Sequence, residues 1–205
     1  MKIAVVSEVS ACAKNRYILS ALEGTGHEVI NAGMAEGGQG PELTYIHTGF
    51  IAAALLNWGE ADFVVGGCGT GQGFLNSVMQ YPGVFCGLIQ EPLDAFLFSR
   101  INAGNCVSLA LNKGYGWAGE LNLKFVFEKL FSDDAGAGYP PERSASQAES
   151  RRILRSVSAA AHRPFNEIAE SLDLGIVRTA LAHAPFRAVA EARAPEFVRR
   201  VEGKA

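Results

Sequence analysis

Val64-Val65-Gly66-Gly67-Cys68-Gly69-Thr70-Gly71-Gln72-Gly73 is the stretch whose reading decides the fold. An apolar run leads into a cysteine, and glycines follow at alternate positions with a threonine among them. A helix-like segment begins at Phe74. This order predicts a thiol at the carboxyl end of a strand, beside a loop of bare backbone N–H groups. Such loops hold oxyanions, because glycine lets the backbone approach and the following helix adds a positive end. A free cysteine is most often a small buried hydrophobe. Here the amide donors and helix start would lower the thiol's pKa, fitting it to take a proton from carbon or attack an electrophile. The glycines lack the spacing of a dinucleotide fingerprint and come after the third predicted strand, and with no GK[ST] following they do not make a phosphate-binding Walker pattern either.

Outward from this stretch, strands are expected at residues 2–6, 27–31, 62–66, 84–89 and 106–110. Helices are expected near 13–25, 43–57, 73–80, 91–101 and 117–131. The alternation predicts parallel βαβ units in an α/β fold: a Rossmann-like three-layer αβα sandwich on a five-stranded parallel sheet. Ligands of such sheets sit at the carboxyl ends of the strands. In the amphipathic helix 117–131, Leu123, Val126, Phe127, Leu130 and Phe131 share one face, expected to pack on the sheet or on another subunit. Residues 132–142 read as a loop. Beyond it the chain turns rich in Ala, Arg and Glu, with helix expected over 146–162 and throughout 165–201. We divide the chain into a domain at 1–160 and a helical extension at 161–205, packed on the same domain or on a subunit partner.

At 205 residues and 48% hydrophobic content, the chain can bury one sizeable core. A net charge of −3 argues against nucleic-acid binding. No apolar run reaches the roughly 18 residues of a membrane span, and the apolar start ends too early for a signal peptide. A cytoplasmic protein is expected. Cys12, Cys68, Cys86 and Cys106 form no CxxC pair, so free thiols are expected. The four histidines, His27, His47, His162 and His183, lack ligand spacing, and neither a metal nor a cofactor is expected.

The segments Cys68–Gly73, Gly83–Leu88, Phe98-Ser99-Arg100 and Asn105 together resemble the type B ribose-5-phosphate isomerase / galactose-6-phosphate isomerase family of sugar-phosphate isomerases. The resemblance runs over about residues 1–155. It implies metal-free interconversion of an aldose phosphate and a ketose phosphate through a cis-enediolate. Cys68 would be the base, and Gly69, Gly71, Gln72 and Gly73 would cradle the enediolate oxygen. Thr70 would assist at the sugar oxygens, and Tyr45 would line the sugar. His47 is expected as a surface or wall residue. Arg143 and Arg152 would grip the phosphate, reaching it from a neighbouring subunit of a homodimer or homotetramer with shared sites.

The chain departs from the family at two places. Glu8 and Val9 stand where the family has Asp-His, and Asn102-Ala103-Gly104 stand where it has His-Asn-Asp. Glu8 keeps the acid, and Asn102 keeps a hydrogen-bonding group without acid or base character. Both histidines are lost, including the ring opener. The extension also exceeds the shorter family members. The expected function is isomerisation of a four- to six-carbon sugar phosphate, a substrate presented open-chain needing no ring opener. The alternatives are a non-catalytic sugar-phosphate-binding protein of the same descent and, last, a flavodoxin-like nucleotide or flavin protein.

Overall fold

The computed structural model describes residues 1–132 and 134–203. Asp133, inside the loop expected over 132–142, and residues 204 and 205 of the extension lie outside the described residues. Five parallel strands form one sheet: β1 (Lys2–Ser7), β2 (Glu28–Asn31), β3 (Phe63–Cys68), β4 (Cys86–Ile89) and β5 (Cys106–Ala110). Their order is β2-β1-β3-β5-β4. The chain runs from β1 to one side and then crosses to β3 on the other. The strand order therefore reverses between β1 and β3, and Ser7 pairs in register with Gly67. That reversal opens a crevice outside the carboxyl ends of these two strands.

Side chains alternate across the sheet with the period of two that strands impose. Ala4, Val6, Val64, Cys68 and Cys106 face α2 (Tyr45–Asn57) and α3 (Gln72–Val78). Ile3, Val5, Val65 and Val107 face α1 (Asn15–Leu22), α4 (Pro92–Leu97) and α5 (Gly119–Leu130). The face Leu123, Val126, Phe127 and Leu130 lies on the sheet, as its spacing requires. A Cβ on Gly66 would fall 2.1 Å from the Phe74 ring, so the missing side chain lets α3 lie close on β3.

The expected helix from residue 13 is preceded by a 3-10 turn over Val9–Lys14, capped by Glu8. The helix expected over 91–101 tightens and then widens, with Phe98–Asn102 forming a π turn after α4. The helix expected near 146–162 is α6 (Ser144–Ala161). The segment expected to be helical over 165–201 is broken into four pieces: α7 (Phe165–Ser171), α8 (Leu174–Leu181), α9 (Ala184–Arg193) and α10 (Pro195–Gly203). The breaks have local causes. Asp173 caps α8 by accepting from Gly175 N at 2.7 Å. Pro185 and Pro195 sit in the first turns of α9 and α10, where a missing N–H is tolerated.

These short helices cover α2, which explains its sequence. Phe50 through Leu55 are all buried, so α2 has no water-facing side in its middle. Phe50 stacks on Phe165 at 6.0 Å and meets the Phe186 ring edge-on at 5.9 Å. Trp58 stacks on Phe186 at 5.9 Å and donates its indole N–H to Asn166 at 3.1 Å. Arg193 of α9 holds Glu60 at 2.7 Å, and Lys2 pairs with the same carboxylate. Lys2 first, then Arg193, hold the Glu60 carboxyl below its usual range.

Two consequences can be measured. Phe186→Ala should destabilise the whole chain by about 3–5 kcal/mol, seen as a single cooperative Tm lowered by roughly 10 °C. An early separate transition would mean that α7–α10 unfold alone. The second concerns histidines. Burial pushes His183 and His27 below the ordinary value of 6.5, and the carbonyls of Gly33 and Ala32 oppose it only partly at His183. A folded pKa below the unfolded one favours the neutral ring. Their contribution is thus complete above pH 6.5 and lost as the pH falls from 6.5 toward the folded values. Tm should drop between pH 7.5 and 5.5, and His183→Gln should reduce that drop.

Candidate active site

At the crevice, the cap of the 3-10 turn after β1 supplies Glu8 and the end of β3 supplies Cys68. The Cys68 thiol is 6% exposed, and its Sγ lies 4.0 Å from Thr70 Oγ1. Thr70 Oγ1 also accepts the Gln72 N–H at 3.3 Å, closing a small turn before α3. Gly71 has φ +77°, and a Cβ there would lie 2.5 Å from Leu88 Cδ1. A side chain at this position is thus excluded by both conformation and space. The Gly71 carbonyl receives the buried Ser108 hydroxyl of β5 at 2.6 Å.

The Gly69 amide is already engaged, donating to Ser10 Oγ at 3.0 Å. Gln72 N–H is likewise taken. Among the described residues, the N–H groups of Thr70, Gly71 and Gly73 carry no hydrogen bond within the chain. Of the oxyanion donors expected along Gly69 to Gly73, those of Gly69 and Gln72 are engaged in this arrangement, which leaves those three amides.

Ser10 and Asn112 are neighbours of the candidate site that the sequence reading missed. Glu8, 3% exposed, accepts the Ser10 N–H at 3.1 Å and also the Ser10 hydroxyl. Asn112 donates its side-chain amide to the Ser10 carbonyl at 2.8 Å, and its backbone N–H to the Gly69 carbonyl at 3.0 Å. Three loops, following β1, β3 and β5, are tied together. The signal available was an acid followed two residues later by serine, a turn-forming pair, with asparagine just beyond a strand.

Tyr45 opens α2, half-exposed, with its ring against Gly73, where a Cβ would come within 2.9 Å. It therefore borders the loop from the far side. His47 is turned to another task. Its Nδ1 accepts the Thr44 N–H at 3.0 Å and meets the Thr44 hydroxyl at 3.0 Å, which caps α2. With Nδ1 accepting, the neutral ring carries its proton on Nε2, and burial pushes its pKa down.

The remaining expected residues stand elsewhere within one chain. Asn102 ends the π turn before β5, whereas Cys68 pairs with Ala110 at the other end of that strand. Four residues of strand rise place these ends about 13 Å apart. Asn102 borders a cavity of about 280 Å³ between α6 and the π turn, lined also by Phe85, Cys86, Arg151 and Arg155. Arg152 spends its guanidinium on Glu149, with two contacts at 2.6 and 2.8 Å. Arg143 is exposed in the turn before α6. Their neighbour Arg151 fastens α6 by donating to the carbonyls of Ile101 at 2.8 Å and Gly136 at 3.0 Å. One chain thus assembles the thiol, the amide loop, the acid and the tyrosine, and leaves Asn102 and the arginines on another face.

A family model described as Ribose/Galactose Isomerase matches residues 3–130. Among solved structures, a 4-deoxy-L-threo-5-hexosulose-uronate ketol-isomerase complexed with a tartrate is 37% identical, with a TM-score of 0.93 over 98% of this chain and 99% of its own. A ribose-5-phosphate isomerase from Vibrio parahaemolyticus is 46% identical, with a TM-score of 0.90 over 98% of both chains. The type B ribose 5-phosphate isomerase of Leishmania infantum is 15% identical, with a TM-score of 0.66 over 78% of this chain and 98% of its own, a likeness of fold. The first two share the full length, helical extension included.

The hydrogen bond from Ser108 to the Gly71 carbonyl gives a direct test of the loop. Ser108→Ala leaves that carbonyl with only the Leu75 N–H, at 3.1 Å, and should cost about 1 kcal/mol, read as a lowered urea midpoint at unchanged m-value. An unchanged midpoint would show that the bond does not hold the loop.

Proposed function

Because the chain belongs to the ribose/galactose isomerase family, we propose that it interconverts an aldose and a ketose through a cis-enediolate with Cys68 as the base. The observation that carries the reading is the thiol at the end of β3, beside three uncommitted amides and Thr70. A proton next to a carbonyl is a weak acid, so base and oxyanion donors must act on one substrate together. Cys68 removes the proton from C2 of the aldose. The N–H groups of Thr70, Gly71 and Gly73 face the oxygen that becomes negative. Thr70 and Tyr45 border the sugar.

The substrate in this reading is a sugar phosphate of four to six carbons, in line with the 46% identical relative. Its phosphate is held by Arg143 and Arg152 of a second copy. The 18 residues of α6 bury none of their side chains within the chain, and Ile153, Leu154 and Val157 are each about half exposed. An apolar stripe of this kind fits a homodimer contact. It would carry the arginines, and Asn102 beside them, toward a neighbour's thiol loop. A second reading is an open-chain keto sugar acid, with a carboxylate in place of the phosphate. It is favoured by the full-length match to the uronate ketol-isomerase and by Val9 and Asn102, which supply no imidazole to open a ring.

One panel separates these readings. The protein is incubated with ribose 5-phosphate, an erythrose phosphate, galactose 6-phosphate and 4-deoxy-L-threo-5-hexosulose uronate, and the isomer formed is followed by NMR. Turnover of one phosphate, lowered about 100-fold or more in Cys68→Ala, is the expected result. Turnover of the uronate alone would select the second reading. Binding without turnover of any compound would leave a sugar-phosphate-binding protein and sink the isomerase.

A further inference from the structure

Isomerisation moves two protons, one on carbon and one on oxygen, and Cys68 accounts for only the first. We propose that Glu8 and Ser10 form a proton relay for the substrate's oxygens, an inference that rests on the isomerase reading. The Glu8 carboxylate is buried, whereas Ser10 is exposed at the crevice. The Ser10 hydroxyl donates to Glu8 while its oxygen accepts the Gly69 N–H at 3.0 Å. A hydroxyl oxygen has two lone pairs. One is therefore left for a substrate O–H, and the hydroxyl's own proton already points at the carboxylate. Asn112 fixes the geometry from both sides, holding the carbonyl of Ser10 and the carbonyl of Gly69. A Cβ on Gly69 would lie 3.3 Å from both Ser10 Oγ and Asn112 Nδ2, so the contact is close all round.

The proton count closes. The Cys68 thiolate takes the C2 proton, the C–H pair becomes the C1–C2 double bond, and the carbonyl pair moves onto O1. The O2–H bond then breaks, its proton passing to Ser10 Oγ as the Ser10 proton passes to the Glu8 carboxylate. The O2 pair forms the new carbonyl, and the double-bond pair takes the Cys68 proton at C1. Glu8 returns its proton through Ser10 to O1. Thiolate, hydroxyl and carboxylate are all regenerated, and no co-reactant is consumed.

The relay separates two rates that a purely structural role would move together. In deuterium oxide, NMR reads both deuterium entry at carbon and net isomer formation, using ribose 5-phosphate and 4-deoxy-L-threo-5-hexosulose uronate as probes. In Ser10→Ala and Glu8→Gln, isomer formation should fall by about 100-fold, while carbon exchange stays within roughly 3-fold of the native rate. The double variant should be no slower than either single one, because the two groups act as a unit. Ser10→Thr, which keeps the hydroxyl, should restore most of the rate. Isomer formation undiminished in Ser10→Ala, or exchange falling in parallel with it, would overturn the relay alone. If Ser10→Ala fails to fold, the same criterion applied to Glu8→Gln decides. Native protein that neither exchanges nor isomerises either probe, nor the erythrose phosphate and galactose 6-phosphate of the panel, would overturn the isomerase reading and the relay with it.

Discussion

The reversal of strand order between β1 and β3 is the constraint from which the site follows. A parallel sheet forces each crossover to one side or the other. Only where two crossovers diverge do neighbouring strand ends stand uncovered by a connecting loop. Ser7 in register with Gly67 brings the residues just beyond, Glu8 and Cys68, to the same level. Their backbones are then close enough for Ser10 to reach the Gly69 amide. That bond ties the first amide of the loop to the turn after β1, while Gly71 further on is held separately, its carbonyl accepting from Ser108 and Leu75.

Much of this was legible in the chain. Short apolar runs alternating with amphipathic segments led to the parallel sheet, and the run ending in Cys68 located the thiol loop within it. The burial of Leu123, Val126, Phe127 and Leu130 against the sheet follows from their spacing alone. Other features were not legible, for definite reasons. The spacing of Glu8 and Ser10 marks a turn, but the partner that Ser10 holds, the Gly69 amide, is 59 residues away, and nothing local announces it. The commitment of the Gly69 amide belongs to the same long-range contact. A glycine-rich motif shows that amides are bare of side chains, but not which of them are already engaged. The His47 cap on Thr44, by contrast, was local and could have been read from the pair's spacing.

The division of the candidate residues over two faces has a simple origin. Cys68 and Asn102 belong to loops at opposite ends of the sheet, and no rearrangement within one chain brings opposite strand ends together. Arg151 strengthens the separation by anchoring α6 to the π turn. A site that uses both groups must draw them from two copies. Chemistry and assembly would then be one problem: α6, which carries Arg152 and follows directly on Arg143, also offers the apolar stripe.

The all-apolar middle of α2 also bears on the order in which the protein is made. Trp58, at the end of this helix, and its partner Asn166 are 108 residues apart in the chain. At a synthesis rate of about 5–20 residues per second, roughly 5–20 seconds pass between the emergence of α2 and of its cover. During that interval the sheet can form, but Phe50 and its neighbours have only one side to bury. A later-made part of the chain thus completes an earlier-made core. The nascent protein carries this uncovered side of α2 until residues 165–201 emerge, and a chain released with its end in α6 would be prone to associate through that side.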